Sequence, residues 1–110
     1  MLRALVDTRS DESLIARFVL GYRDHTRAAY LADLRDFRAW CATVGIGLLG
    51  VRRSHIEAYN RQLEQAGRSR ATVARRLATL AGFYHYVVQE GALPHPPATH
   101  VRRPSVARDS

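Results

Sequence analysis

Two stretches of the sequence combine residue types and spacings that suit the binding of phosphate groups. Residues 45–50 read GIGLLG, which has the G-x-G-x-x-G spacing of a dinucleotide-binding turn. Residues 68–76 read RSRATVARR, which is rich in arginine and in short hydroxyl side chains. Guanidinium groups and helix N-termini both favour phosphate, so the chemistry to test at each stretch is the recognition of an anion.

The surroundings of GIGLLG argue against a cofactor site. A dinucleotide fingerprint needs a preceding strand, a helix that opens within it, and an acidic residue about 20 positions further on. Here an amphipathic helix precedes the stretch, and the next helix begins only near Ser54. We therefore predict no bound cofactor. Gly45 is expected to end the preceding helix, and Leu48 or Leu49 to be buried in the loop that follows.

The histidines and the cysteine form no metal or nucleophile pattern. The sequence has five histidines: His25, His55, His85, His95 and His100. No two of them have the i, i+4 spacing of a zinc-binding helix. Cys41 is the only cysteine, which excludes an internal disulfide, and we expect it to be a small buried apolar residue. From the histidine spacing and the single cysteine we predict no metal site. Since no serine or cysteine nucleophile signature is present, we also do not expect an isolated enzyme.

The charge distribution indicates a polyanionic partner. The net charge is +7, and all 17 basic residues are arginine. Residues 1–44 carry seven arginines against six acids, whereas residues 45–93 carry seven arginines against three acids. Residues 94–110 add three arginines and one acid. A basic second half favours a partner such as a nucleic acid, with a merely basic protein as the alternative interpretation.

Length and composition predict a single globular domain. A chain of 110 residues with 46% hydrophobic residues can form one modest core. No apolar run approaches the roughly 18–20 residues that span a bilayer, and the first residues lack the apolar core of a signal peptide. We therefore expect a soluble, cytoplasmic protein.

Helical periodicity recurs along the chain, and strand-like alternation is nearly absent. The first helix is predicted over residues 12–20, with Ser10 or Asp11 as its cap and Gly21 as its stop. The second is predicted over residues 26–44, with Thr26 as N-cap.

Two further helices are predicted in the second half. The third opens with Ser54 and Glu57 at capping-box spacing and stops at Gly67. The fourth runs from Ser69 to about Glu90.

Each predicted helix carries one apolar stripe, and the four stripes are expected to share a core. The stripe residues are Leu14, Ile15, Phe18 and Val19; Tyr30, Leu34, Phe37, Cys41 and Val44; Ile56, Tyr59 and Leu63; and Val73, Leu77, Leu80, Tyr84 and Val87. All four prolines follow Leu93, which predicts an extended tail. The predicted organisation is an N-terminal segment over residues 1–11, an all-α, compact four-helix bundle over 12–92 and a linker over 93–110.

The fourth helix is predicted to present a polar face opposite its apolar stripe. With Val73 toward the core, four residues project from the other side and two border them: Arg75, Thr79, Gly82 and Tyr86, then Thr72 and Arg76. Arg68, Ser69 and Arg70 lie at the N-terminus, where the helix dipole favours phosphate. Arginine and threonine can bind both phosphates and base edges. This face predicts a DNA contact, with an ordinary solvated helix face as the alternative.

Three segments in order resemble the N-terminal core-binding (SAM-like) domain of phage-integrase and Xer-type tyrosine recombinases. TRAAYLADLRDFRAWC resembles the second helix of that family, SRATVARRLATLAGFYHYVVQEG its fourth helix, and PPATHVRRP the connector to its catalytic domain. The resemblance covers roughly residues 12–104. Ala81 departs from it, since a basic residue is common there, and so does His95-Pro96, where Asn-Pro is common. The resemblance implies a SAM-like bundle that forms half of a clamp around a recombination half-site.

The resemblance implies contacts to double-stranded DNA from the second and fourth helices. Together with the basic face of the fourth helix and the connector, it gives these predicted contacts: Thr26, Arg27, Arg68, Ser69, Arg70, Thr72, Arg75, Arg76, Thr79, Arg102 and Arg103. Loss of Arg75 and Arg76 together is expected to weaken DNA binding and to leave thermal stability nearly intact. The resemblance also implies other recombinase protomers as partners in a synaptic complex, in the nucleoid.

Strand cleavage is not expected of this chain alone. The family's catalytic domain supplies an Arg–Lys–His–Arg constellation and a tyrosine nucleophile, and the sequence ends before any counterpart. The five tyrosines lie mostly on or near apolar stripes: Tyr22, Tyr30, Tyr59, Tyr84 and Tyr86. We therefore predict a DNA-binding domain of a site-specific recombinase without cofactor. The alternatives are a helical protein-interaction domain that does not touch DNA and, third, a free-standing nuclease or ligase.

Overall fold

The computed structural model describes residues 8–97 and is all-helical over that range. Its four α-helices are α1 (Thr8–Val19), α2 (Asp24–Thr43), α3 (Arg53–Gln65) and α4 (Arg70–Gln89), and a short 3-10 turn (Leu48–Gly50) connects α2 to α3. The predicted four-helix, all-α bundle is confirmed. Within the described range, no helix is long and apolar enough to cross a membrane.

The predicted apolar stripes form one core. The stripe of α4 is completely confirmed, since each of its five residues is at most 2% exposed. The stripes of α1 and α3 are buried as well. On α2 the prediction fails at Val44, which is 48% exposed because the helix ends at Thr43 and the chain turns away. The sequence pattern also missed Phe83, which packs at 0% exposure between the rings of Phe18 and Tyr84.

The starts of α1 and α2 differ from the prediction. Helix α1 begins at Thr8, about one turn before the predicted start, so Asp11 lies inside the helix and is buried. Helix α2 begins at Asp24, and the Thr26 amide already donates to the Arg23 carbonyl within the first turn. Thr26 is therefore not the N-cap. A cap is difficult to assign from sequence when several polar residues precede a helix.

The predicted capping box of α3 is wrong, whereas the predicted start of α4 is confirmed. At α3, the His55 ring Nδ1 accepts from the Arg52 amide at 2.9 Å, and this replaces the predicted capping box of Ser54 and Glu57. Glu57 instead pairs with Arg53, one turn earlier on the helix. At α4, the predicted start at Ser69 is confirmed: Ser69 is the N-cap, and its Oγ accepts from the Thr72 amide at 3.1 Å.

The GIGLLG stretch forms the loop between α2 and α3, and this loop is fixed to the core. Gly45 has φ +78 and ends α2, as predicted. Leu48 is fully buried, its amide donates to Asp11 Oδ2 at 3.1 Å, and its carbonyl accepts from the Tyr84 hydroxyl at 2.7 Å. Burial raises the pKa of Tyr84 well above its usual value, so the hydroxyl stays protonated and able to donate. The loop therefore satisfies its buried polar groups with side chains from the first and the last helix.

Gly82 gives a direct test of the packing between α1 and α4. It lies on the exposed side of α4, and a methyl group placed there would meet Phe18 Cζ at 3.7 Å, an ordinary contact. We expect Gly82→Ala to stabilise the domain by about 0.5–1 kcal/mol, because glycine disfavours a helix interior. Urea denaturation would measure the change.

The matched control for Gly82 is Gly91, which follows α4 at φ +80. Alanine is strained in that backbone region, so Gly91→Ala should destabilise the domain by about 1 kcal/mol. If both alanine variants were destabilised to the same extent, the described packing of Gly82 would be incorrect.

Candidate nucleic-acid interface

The N-terminus of α4 is an exposed, arginine-flanked helix start. Gly67 turns the chain at φ +80, and Arg68, Ser69 and Arg70 follow it, all exposed. The Ser69 hydroxyl accepts from the Thr72 amide and donates to Thr72 Oγ1 at 3.0 Å, which fixes the cap. A helix N-terminus carries the positive end of the helix dipole, so guanidinium groups beside it add to a field that favours anions.

The guanidinium group of Arg75 binds a buried carboxylate and is also partly exposed to solvent. Its Nη1 donates to Asp33 Oδ2 at 2.5 Å, and Asp33 is only 3% exposed. The Arg75 side chain is itself 48% exposed. A guanidinium group has five donors, so one bond to Asp33 leaves most of its donors available to a second partner. Asp33 therefore orients Arg75 without covering it.

Thr79 does not lie on the exposed face where the helix projection placed it. It is 3% exposed, and its Oγ1 lies 2.9 Å from Asp33 Oδ2 and 3.1 Å from the Arg75 carbonyl. The projection was wrong here because Asp33, on α2, packs over this turn of α4. Thr79 helps to satisfy a buried carboxylate, which makes it part of the α2–α4 interface.

Arg76 is more enclosed than its predicted border position suggested. Its Nη1 donates to Asp36 Oδ2 at 2.5 Å and lies 3.3 Å from the Tyr59 hydroxyl, and the side chain is 15% exposed. Burial lowers the pKa of Arg76, but the bond with Tyr59 and the charges of Asp36 and Asp33 raise it by more, so the group stays charged. Arg76 thus ties α4 to both α2 and α3.

Tyr59, Asp36 and Arg76 form one hydrogen-bonded cluster, in which the Tyr59 hydroxyl donates to Asp36 Oδ2 at 2.6 Å. Burial raises the pKa of the Tyr59 hydroxyl, and its hydrogen bond with Asp36 raises it further, so the hydroxyl remains a donor at neutral pH. Asp36 therefore has two donors, one neutral and one charged.

Arg27 holds the turn between α1 and α2. Its Nε lies 3.1 Å from the Val19 carbonyl and 2.9 Å from the Tyr22 carbonyl, and its Nη2 lies 3.5 Å from the Leu20 carbonyl. Basic side chains stabilise helix C-termini by binding such carbonyl groups. The neighbouring Thr26 is exposed. The two predicted contacts in the connector, Arg102 and Arg103, lie outside the described residues.

Residues 17–91 match the family described as phage integrase, N-terminal SAM-like domain. The chain belongs to this family. The chain is 37% identical over 89 residues to tyrosine recombinase XerD of Pseudomonas aeruginosa, and the matched region covers 80% of this chain and 30% of the relative.

Other relatives show similar coverage. Tyrosine recombinase XerC of Pseudomonas fluorescens is 36% identical over 87 residues, with 76% of this chain and 28% of the relative covered. XerC of Mycobacterium sp. (strain KMS) is 36% identical over 90 residues, with 80% and 30% covered. The chain thus spans less than a third of the length of these relatives. No solved structure matches the chain significantly.

The described residues include buried nucleophiles that are unsuited to covalent chemistry. Tyr59 and Tyr84 are at most 1% exposed. Cys41 is fully buried, and burial together with the charge of Asp11 raises the pKa of its thiol to about 12. Within residues 8–97, no three histidine, cysteine, aspartate or glutamate side chains are placed to hold a metal ion.

Sequence reasoning missed the two aspartates that organise this surface. Asp33 and Asp36 directly precede the stripe residues Leu34 and Phe37, and neither is among the site residues predicted from sequence. The signal that can identify Asp33 is its position directly beside the stripe, where a carboxylate becomes buried once another helix packs against it. A buried carboxylate requires donors, and the donors of Asp33 come from α4, where Arg75 and Thr79 bind it.

Proposed function

We propose that this domain binds duplex DNA as the N-terminal domain of a site-specific tyrosine recombinase. The observation that carries the proposal is the exposed start of α4, where Arg68 and Arg70 flank a serine-capped helix of 20 residues in a domain whose relatives are tyrosine recombinases. In this proposal the start of α4 contacts the phosphate backbone of a recombination half-site, and the start of α2 lies against the same duplex.

Within α4 the proposed contacts differ in kind. Arg68 and Arg70 bind phosphates next to the positive end of the helix dipole. Arg75 binds with the part of its guanidinium group that Asp33 leaves open, and its orientation is already fixed in the free domain. Thr72 and Ser69 support the helix start through their shared hydrogen bonds. Thr79 is not part of the proposed contact surface.

On α2 we propose Thr26 as a direct contact. Arg27 holds the turn that precedes Thr26, and we propose that its guanidinium group also contacts a phosphate. Arg102 and Arg103 are proposed to extend the contact along the connector. Strand cleavage belongs to a catalytic domain of the kind found in full-length recombinases, and other protomers are the proposed protein partners.

The proposal predicts binding that weakens steeply with salt. If about 4–6 phosphates are contacted, a plot of log affinity against log salt concentration should have a slope near −4 to −5. Fluorescence anisotropy with a labelled duplex of mixed sequence would measure this slope.

Arg68→Gln combined with Arg70→Gln should reduce the affinity by at least about tenfold, because two phosphate contacts are lost.

A matched control removes the same charge elsewhere. Arg17 and Arg38 pair with Glu90 and Glu12, away from the start of α4. Arg17→Gln combined with Arg38→Gln should change affinity by less than about threefold. Equal losses in the two double variants would show that net charge alone determines binding, and unaltered affinity in the first would remove the proposed surface.

A further inference from the structure

We propose that Asp36 limits the DNA affinity of this domain by competing with a DNA phosphate for Arg76. In the free domain, Arg76 is bound to the Asp36 carboxylate. On binding, the guanidinium group exchanges this carboxylate for a phosphate of the backbone. This inference rests on the proposed function, and it assigns to Asp36 a regulatory role at the same surface.

Asp36 can release Arg76 without being left unpaired. Its side chain is 47% exposed, so water can solvate the carboxylate oxygens. The Tyr59 hydroxyl donates to the same Oδ2 at 2.6 Å and remains in place when the arginine leaves. Half-exposed ion pairs contribute little net stability, because water competes for both charges. The exchange therefore removes one weak bond at Asp36 and keeps another.

One hydrogen-bond donor of the Arg76 guanidinium group has no acceptor in the free domain. Its Nε is buried without a hydrogen-bond partner and stands 3.9 Å from Asp33 Oδ1, too far for a hydrogen bond. A buried donor without an acceptor is costly, so the position is not the optimum for this guanidinium group. A phosphate oxygen at the adjacent surface gives such a group a stronger, charge-assisted bond.

Asp33 cannot take part in the same exchange. It is almost completely buried, and its donors are Arg75 and Thr79. Complete removal of Arg75 would leave a charge in the core with one hydroxyl donor, which is strongly unfavourable. The two aspartates therefore have different roles: Asp33 positions Arg75, whereas Asp36 competes with the DNA phosphate for Arg76.

The test compares Asp36→Asn with the unaltered domain in anisotropy titrations with the same labelled duplex. The variant should bind about threefold to fivefold more tightly, which is the effect of removing one exposed ion pair. Its salt slope should stay close to that of the unaltered domain, because Arg76 neutralises the same phosphate in both complexes. The substituted amide oxygen still accepts from Tyr59, and a thermal melt verifies folding. Asp36→Ala, which leaves no acceptor, should show the same gain in affinity.

Two controls separate competition from a general effect of charge. Glu12→Gln also removes one acid and frees one arginine, Arg38, on a different surface, and should leave the affinity within about twofold. In an Arg76→Gln background, Asp36→Asn should no longer raise the affinity. Equal gains from Asp36→Asn and Glu12→Gln, or a gain that persists without Arg76, would overturn the proposal.

These measurements distinguish a failure of DNA binding from a failure of the role of Asp36. If the unaltered domain does not bind the duplex at low salt, the proposed function is wrong. If it binds and Asp36→Asn has the same affinity, only the role of Asp36 is wrong.

Discussion

Leu48→Ala is expected to destabilise the domain by about 3–4 kcal/mol, within the range of roughly 2–5 kcal/mol for buried leucines. Leu48 is fully buried, and its backbone is held on both sides, by Asp11 at the amide and by Tyr84 at the carbonyl. The turn therefore cannot collapse into the cavity that the smaller side chain leaves. Urea denaturation followed by circular dichroism would measure the free energy of unfolding.

The adjacent residue is the natural control. Leu49 has the same side chain in the same turn but is only half-buried. Leu49→Ala should therefore cost about 1 kcal/mol, in proportion to the smaller apolar area that it buries. Similar losses for the two leucines would mean that the turn is not fixed in the described orientation.

Arg75→Ala is expected to weaken DNA binding and to lower stability together. The sequence alone predicted that loss of Arg75 and Arg76 leaves stability nearly intact, but the structure gives Arg75 a buried partner. Removing its guanidinium group leaves Asp33 with the Thr79 hydroxyl and a distant Arg76 Nε. Breaking a fully buried pair costs about 3–5 kcal/mol, and the exposure of Arg75 reduces the expected cost here to about 1–3 kcal/mol. Thermal and urea denaturation would measure it.

A double variant separates the two effects of Arg75. When Asp33→Ala is combined with Arg75→Ala, no buried charge remains unpaired, and much of the lost stability should return. DNA affinity should stay low by about tenfold, because the phosphate contact is still absent. Arg35→Ala, on an exposed arginine of α2, should change stability by less than about 0.5 kcal/mol. Recovery of affinity in the double variant would show that Arg75 acts only through folding.

The helices and the core could be predicted because both depend on local periodicity. Stripes at helical spacing identified Leu34 and Leu77 as buried, and Gly45 and Ser69 marked a helix end and a helix start through backbone chemistry that needs no distant partner. The helix starts were less accurate where several polar residues could cap, as at Thr26. There the backbone entered the helix two residues earlier.

The candidate site was harder to predict because its geometry depends on pairs that are distant in sequence. Whether Arg75 and Arg76 face solvent depends on Asp33 and Asp36, about 40 residues earlier, and on how α2 packs against α4. A helix projection of α4 alone places Thr79 outside. Only the tertiary contact shows that its hydroxyl has an internal acceptor, so polarity by itself was a poor guide to exposure.

The two backbone hydrogen bonds of Leu48 also limit when this turn can reach its native contacts during synthesis. The amide needs Asp11, 37 residues earlier, and the carbonyl needs Tyr84, 36 residues later. While the ribosome has released only α1 to α3, the Leu48 carbonyl has no donor within the protein. Water must then donate in place of the Tyr84 hydroxyl. The native turn closes only when α4 has emerged, so the domain is completed in a late step that joins its first and last helices.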